Sequence, residues 1–517
     1  MNLIKAVTTV GGFTLLSRVF GFLRDILIAN FLGAGAVADA FVVAFRFPNL
    51  FRRLFAEGAF AAAFVPIYSR TLEGEGALEA KAFADQAFSV LALILVAFVA
   101  VMEIAMPWAM YGLAPGFAEV PGKMQLATEM SRIAFPYLLF ISLVSLQSGV
   151  LNSLGRFAAA AAAPVLLNLT LIAALLGFAE YAETSGHALV WGVFVAGVVQ
   201  FLWLIYHCRQ AGAPVAFVRP RLSERVRLLG RRILPVVFGA SLYQINLLIG
   251  TILASMVSDG AVSYLYYADR VVQLPLGVVG VAVGTALLPM LSRQLKAGDD
   301  EAAAASQNRG LEVAMLLTLP AAAALLVIAQ PIVSVLFEHG AFDAAAATAT
   351  AAALVAFAAG LPAYVLIRVL TPGFFAREDT RTPVRIAAAA MALNVVLNLI
   401  LMQFWGHVGI AVAASVSAWV NAVGLSVVLS RRGQLVLDQR ARARLPRILV
   451  ASAGMAVALA VAAALLDPWL VGSHGARIAG LTALVAGGLG IYAVLARLTG
   501  AFQWRDLGSL LRRRDTA

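Results

Sequence analysis

Six arginines and four acids stand inside long apolar runs of this chain: Arg18, Arg24, Arg46, Arg52, Arg53 and Arg270 against Asp25, Asp39, Glu57 and Asp269. A guanidinium stays charged and grips a phosphate or carboxylate through two parallel hydrogen bonds, whereas lysine offers a point charge. Arg18 with Asp25, Arg53 with Glu57 and Arg270 with Asp269 could neutralise one another as a buried ion network. The arginine surplus goes beyond such a network and suits an anionic ligand that carries phosphate or carboxylate. The spacing makes faces of these residues. Arg18 and Asp25 lie seven apart, on one side of a helix, with Arg24 about a third of a turn away. Asp39, Arg46, Asn49, Arg53 and Glu57 follow at +7, +3, +4 and +4, a continuous helical stripe with Arg52 beside it. Asp269 and Arg270 come after Tyr264, Tyr266 and Tyr267, and Gly277, Gly280 and Gly284 then give a small face for close helix contact.

The elements that position these groups must be membrane spans. Of 517 residues, 62% are hydrophobic and 13% charged, against about 25% charged in a soluble domain; the mean hydropathy is +0.90. That composition excludes a cytosolic enzyme, a disordered chain and a disulfide-stapled secreted domain. A spanning helix takes about 20 apolar residues. Fourteen candidate spans lie near 8–30, 36–66, 84–111, 126–150, 158–180, 187–207, 233–256, 262–291, 311–335, 346–375, 384–404, 409–429, 447–466 and 477–498. Runs this long argue against a porin-like barrel of alternating strands. Pro48, Pro275, Pro320 and Pro362 fall inside spans and predict bends. A charged residue at a span centre costs about 2.5–3.5 kcal/mol, so five arginines facing lipid would cost on the order of 12–17 kcal/mol. A domain's net stability is about 5–15 kcal/mol. These groups are therefore expected to face protein or a water-filled cavity.

The expected fold is an all-α polytopic membrane protein of about fourteen transmembrane helices, two six-helix lobes plus two C-terminal helices. Residues 1–210 form the N-terminal lobe, 211–232 a basic linker with an amphipathic helix (SERVRLLGRR) on anionic lipid, 233–430 the second lobe, and 431–517 the extra helices and a basic tail. Basic residues gather in alternate links, among them Arg209, Arg219, Arg225, Arg231, Arg293, Arg377, Arg432 and Arg440, while the opposite links hold little beyond Lys123 and Arg477. The asymmetry puts both termini in the cytoplasm. The net charge of +11 is read as cytoplasmic loops and an anionic substrate, with no nucleic acid among the partners. Arg18 and Arg24 interrupt the first apolar run, which excludes a cleaved signal peptide.

Catalytic signals are missing. Cys208 is the single cysteine, and the five histidines are scattered. There is no HExxH, no Walker A segment and no carboxylate cluster at metal-ligand spacing, so no catalytic residue, metal or cofactor is assigned. Asn394 and Asn398, one turn apart, are a weak sodium candidate, because two neutral amides bind a hard cation poorly; interhelical amide hydrogen bonds are the simpler reading.

Three segments carry a family resemblance. SRVFGFLRDILIANFLGAGAVADAFVVAFRFPNLFRRLFAEGAFAAAFVPIYS from Ser17 to Ser69, YYADRVVQLPLGVVGVAVGTALLP from Tyr266 to Pro289 and TPGFFAREDTRTPV from Thr371 to Val384 resemble the MurJ (MviN) lipid II flippases. The resemblance covers nearly the whole chain. It implies the fold of the multidrug/oligosaccharidyl-lipid/polysaccharide exporter superfamily, two lobes about a cationic cavity, in the bacterial inner membrane. It implies that lipid II, the undecaprenyl-diphosphate-linked peptidoglycan precursor, crosses from the cytoplasmic to the periplasmic leaflet by alternating access. Carried over by position, Arg18, Arg24, Arg52 and Arg270 would contact the diphosphate and Asp25 would orient arginines. Asp39, Arg53, Glu57 and Asp269 would serve gating or ion pairs, and Ser17 and Asn49 would add hydrogen bonds. Gln273 departs from the family's glutamate and receives no role. The last two spans would either seal the second lobe against lipid or form a groove for the polyprenyl tail. Partners would be lipid II, bilayer lipids and peptidoglycan synthases; the drive would be membrane potential or a cation gradient. Alternatives in other classes are an exporter of other polyprenyl-diphosphate oligosaccharides or drugs, a cell-wall scaffold without transport, and a membrane-embedded glycosyltransferase.

Overall fold

The computed structural model describes the backbone of residues 3–52 and 59–502, and its regular elements are all helical. In chain order they are α1 Leu3–Leu32, α2 Ala36–Phe51, α3 Ala59–Glu75, α4 Ala77–Leu113, α5 Lys123–Ala134, α6 Tyr137–Ser153, α7 Ala158–Phe178, α8 Ser185–Gln210 and α9 Glu224–Ser255. There follow α10 Ala261–Lys296, α11 Asp300–Val327, α12 Ala329–Phe337, α13 Ala344–Phe375, α14 Arg381–Arg431, α15 Gln439–Leu465, α16 Asp467–Leu470 and α17 His474–Leu498. The ranges expected from hydropathy fall on these helices to within two residues, except that 36–66 covers α2 and the start of α3 and crosses residues outside the described ones. Among the described residues, nine helical segments are long and apolar enough to cross a membrane. The α14 segment carries two of the expected ranges, because Gly406 breaks it with φ 54° and ψ −132°. A side chain there would be strained, and glycine is not.

Two compact units divide the chain: Met1–Ser263 with His339–Phe342, and Tyr264–Glu338 with Asp343–Ala517. Lipid tails are as apolar as leucine, so helix association here rests on packing and on polar contacts. In the first unit, Phe60, Phe64 and Tyr68 of α3 stack in series, and Phe64 also stacks on Phe83 of α4 at 5.3 Å. Leu146 and Val150 of α6 and Val226 and Leu229 of α9 complete that core. In the second unit, Leu287, Leu311, Val365, Phe374 and Leu425 join α10, α11, α13 and α14. α15 and α17 pack by Met455, Leu459 and Leu484 near Ile328. Tyr492 of α17 donates to the Leu316 carbonyl of α11 at 2.7 Å. Their outer faces, with Leu449, Val457, Leu489 and Leu498, are exposed, as befits helices against lipid.

The basic link differs from its expected form. The SERVRLLGRR stretch is not a separate surface helix: from Glu224 onward it is the start of α9, which runs unbroken to Ser255. Burial of Val226 and Leu229 against α3 and α4 favours this arrangement. The residues before it are extended and held by α4. Ala216 N donates to Asp85 Oδ1 and Val218 N to Ser89 Oγ, each at 2.8 Å.

Candidate functional site

The first unit builds two polar clusters. On α1, Arg24 and Asp25 are 7% and 3% exposed. Arg24 grips its chain neighbour, with Nη2 and Nε at 2.7 and 3.1 Å from Asp25 Oδ1. Its Nη1 donates to Asn168 Oδ1 of α7 at 2.8 Å, and the guanidinium lies 5.8 Å from the Phe45 ring. Asn168 Nδ2 in turn donates to the Ser17 carbonyl at 2.9 Å, with Ser17 Oγ at 3.4 Å. Every polar end of Asn168 is thereby used, which offsets the cost of placing an amide in an apolar span. Arg18, expected to share a face with Asp25, is exposed; the partner of Asp25 is Arg24.

The stripe on α2 leads away from this cluster. Arg46 Nη1 donates to Thr251 Oγ1 of α9 at 2.7 Å. Asn49 Nδ2 bonds the Phe45 carbonyl and its Oδ1 accepts from Arg52 Nε, both at 2.9 Å. Asn49 therefore steers Arg52, and both stay partly exposed at the end of α2. Arg53 and Glu57 lie outside the described residues.

The second cluster closes around Asp39, which is 0% exposed. Its Oδ2 accepts from Lys123 Nζ at 2.7 Å and from Gly260 N at 2.9 Å. Its Oδ1 accepts from Ser263 N at 2.8 Å and Ser263 Oγ at 2.5 Å. Lys123, 2% exposed, also reaches Asp259 Oδ1 at 2.6 Å. Its ammonium stands 4.2 Å from the Phe117 ring centre. α2, the start of α5 and the α9–α10 turn thus meet on one carboxylate. Beside them Ala341 N donates to the Asn30 carbonyl at 2.9 Å. Gly33 has φ 65°, and a Cβ there would sit 2.3 Å from the Ala341 carbonyl oxygen. Only glycine permits that approach.

In the second unit, Asp269 accepts from Gln273 one turn on. A neutral amide thus caps the carboxylate where a second acid would repel it. The Arg270 guanidinium lies 4.7 Å from the Tyr266 ring centre, a cation–π contact that helps to orient it. Asn398 Nδ2 donates to Asn394 Oδ1 at 2.9 Å, so the two amides bond within one helix, not between helices. Among the described residues, no group of three or more His, Cys, Asp or Glu is placed to hold a metal ion.

Sequence reasoning missed Lys123 as a partner of Asp39, and missed Asn168, Thr251 and Ser263 altogether. Two signals were available: Lys123 is nearly alone among the basic residues of its set of links, and Asn168 is a single amide in an apolar run.

Guanidinium and amide groups of the kind described can hold an anion, and among the residues placed above none pairs a nucleophile with a base. A family model described as "Lipid II flippase MurJ" matches residues 28–480. A "Probable lipid II flippase MurJ" of Rhizobium tropici is 44% identical over 99% of this chain and 96% of its own. A "Lipid II flippase MurJ" of Burkholderia cenocepacia is 40% identical over 84% of this chain and 85% of its own. Among solved structures, "Lipid II flippase MurJ, inward closed conformation" aligns with TM-score 0.80 at 24% identity, covering 96% of this chain and 99% of that one. An inward-facing multidrug resistance MATE transporter of the MOP superfamily aligns at TM-score 0.67 and 15% identity, over 81% and 94%; both likenesses speak for the fold. With the sequence match running nearly end to end, this chain is an all-α, multi-pass membrane protein that belongs to the MurJ lipid II flippase family.

Proposed function

We propose that this protein carries lipid II from the cytoplasmic to the periplasmic leaflet of the bacterial inner membrane by alternating access. It works as a transporter and not as an enzyme. The observation that carries the reading is the arginine surplus within apolar helices, on a chain whose relatives are named for lipid II. Arg18, Arg24, Arg52 and Arg270 take the diphosphate. Two adjacent phosphates offer oxygens to several guanidiniums at once, and each charge-assisted bond contributes about 1.5–3 kcal/mol. Asp25 and Asn168 keep Arg24 in one orientation; Asn49 does the same for Arg52. Ser17 contributes its hydroxyl beside Asn168. Asp39 serves closure through Lys123, while Asp269, Arg53 and Glu57 serve ion pairs that change during the cycle.

Both termini face the cytoplasm in this reading, and peptidoglycan synthases consume the lipid delivered outside. An empty cationic cavity feels the membrane potential, at about 2.3 kcal/mol per charge per 100 mV, and inside-negative potential draws the empty carrier toward its cytoplasmic-facing state. Equal transport in polarised and depolarised cells, at fixed ion gradients, would exclude that drive; a sodium requirement would redirect it to a cation gradient. The function itself is tested by lipid II accessibility at the outer leaflet. Depleting this protein should remove the accessible pool and re-expression should restore it. An accessible pool that persists through depletion would overturn the assignment.

A further inference from the structure

The first unit carries a second pair of opposite charges within its spans, on the outer surface and away from both polar clusters. Glu103 of α4 and Arg132 of α5 line a recess of about 340 Å³ with Ile133, Pro136, Trp191 and Phe194. Trp191 and Phe194 of α8 meet edge to face at 6.0 Å. Glu103 is ten residues before the end of α4, Arg132 nine after the start of α5 and Trp191 six after the start of α8. At 1.5 Å per residue these lie about 9–15 Å in from the helix ends on one side, below the headgroup layer and facing outward.

Charges in a span normally pair with each other. These two stand close together without a hydrogen bond between their charged groups: Arg132 Nε donates instead to the Glu103 main-chain carbonyl at 3.0 Å. Glu103 Oε1 is closed off from solvent and has no hydrogen-bond partner among the described residues. Arg132 and Trp191 are exposed on the same face. A carboxylate, a guanidinium and an indole therefore line one recess with no hydrogen bond between the two charged groups.

We propose that this recess binds the headgroup of a zwitterionic phospholipid, with its phosphate on Arg132 and its ammonium on Glu103 beside Trp191. A dipolar headgroup satisfies both charges at once; an anionic headgroup would meet Glu103 as a like charge. An indole face suits the ammonium, and the apolar wall of Ile133 and Pro136 suits the first acyl carbons. The bound lipid fills a notch in the protein surface and draws its headgroup inward at that point.

The test uses the full chain, reconstituted in vesicles of phosphatidylglycerol mixed with phosphatidylethanolamine or phosphatidylcholine, then extracted and washed in detergent. Lipid retained per protein is read by mass spectrometry. Wild type should keep zwitterionic lipid in preference to phosphatidylglycerol. Glu103→Gln should cut that preference about tenfold, as for one charge-assisted hydrogen bond lost. Loss for the ethanolamine lipid alone would assign N–H donation to Glu103, and equal loss for both lipids would assign the positive charge; either supports the site. Arg132→Gln should lower zwitterion retention as well, and unchanged thermal unfolding of both variants excludes misfolding as the cause. Phosphatidylglycerol retained as well as zwitterionic lipid by wild type, or unaltered selectivity in Glu103→Gln, would overturn the proposal.

Discussion

Two polar clusters in one unit differ in what stands at their centre. Around Asp39 it is a carboxylate: Lys123 serves both Asp39 and Asp259, and backbone amides of Gly260 and Ser263 make up the remainder. Every lone pair of a fully buried carboxylate is met from within the protein. Along α1 and α2 the central groups are arginines, each oriented by neighbours: Arg24 by Asp25 and Asn168, Arg52 by the Asn49 amide and Arg46 by the Thr251 hydroxyl. Amides and hydroxyls orient a guanidinium without cancelling its charge. A closed, self-satisfied knot suits a joint, and an oriented cation surplus suits a visiting anion. The second unit repeats the latter device at Arg270, which an aromatic ring steadies.

The contrast breaks first at the arginines oriented by amide and aromatic neighbours. Arg52→Ala and Arg270→Ala should each lower lipid II translocation by at least about tenfold, the value of one charge-assisted bond, with protein levels near wild type. Lysine at either position should restore only part of the rate, because it cannot donate in parallel. Outer-leaflet lipid II in depleted cells measures both. Arg24→Ala should do more than abolish transport, since it removes the guanidinium that grips buried Asp25; loss of folded protein should accompany loss of function, and Arg24→Ala/Asp25→Ala should recover the folded fraction without transport.

Next in size is the closed knot. Lys123→Ala leaves Asp39 buried and unpaired, a change that costs about 3–5 kcal/mol in comparable buried pairs, and thermal unfolding should show it. Asp39→Asn should cost less, because the amide still accepts from Ser263 and carries no charge. Equal effects of these two would mean that the knot is held by shape and not by charge. Gly33→Ala comes third: a positive φ and the Ala341 carbonyl 2.3 Å from the new Cβ should lower stability by about 1–3 kcal/mol.

The smallest effect concerns a surface pair in the second unit. Asp379 accepts from Arg432 at 2.7 Å and from Thr382 N at 3.0 Å. Arg432 first, then Thr382, hold its carboxyl well below the usual carboxylate range. A depressed folded value means that the stabilisation is complete above the unfolded carboxylate's pKa of about 3.9 and fades as pH falls toward the lower folded value. Stability should therefore be insensitive to this pair from pH 5 to 8 and weaken only below about pH 4; Asp379→Asn should remove that acid-side dependence. A loss that begins near neutrality would assign the effect to another group.

Much of this was legible beforehand, and the unread part has a physical cause. Helix positions follow from runs of apolar residues and helix faces from the 3.6 period, so the described helices and the placing of Asp39, Arg46 and Asn49 on α2 could be written from the chain alone, while Arg53 and Glu57 of the same stripe lie outside the described residues. Partners across helices could not. Asn168 lies 144 residues from Arg24, and Ser263 lies 224 from Asp39; no local pattern encodes such pairs, because packing decides them. The α1 face misled for a related reason. Arg18 and Asp25 share a helix side, but a long guanidinium can fold back onto the adjacent residue, and Arg24 does so. The α9 start was read as separate because its arginines suggest a lipid surface, whereas Val226 and Leu229 turn inward and join it to the span.

The central proposal is that arginines on the spans, Arg52 and Arg270 among them, take the diphosphate of lipid II. Its most direct test is equilibrium binding of lipid II, against its monophosphate-linked counterpart, to the purified full chain in nanodiscs, for wild type, Arg52→Ala/Arg270→Ala and Asp39→Asn. Wild type should prefer the diphosphate, the double arginine variant should lose that preference together with most of its affinity, and Asp39→Asn should keep both. Diphosphate selectivity that survives the loss of Arg52 and Arg270 would contradict the account.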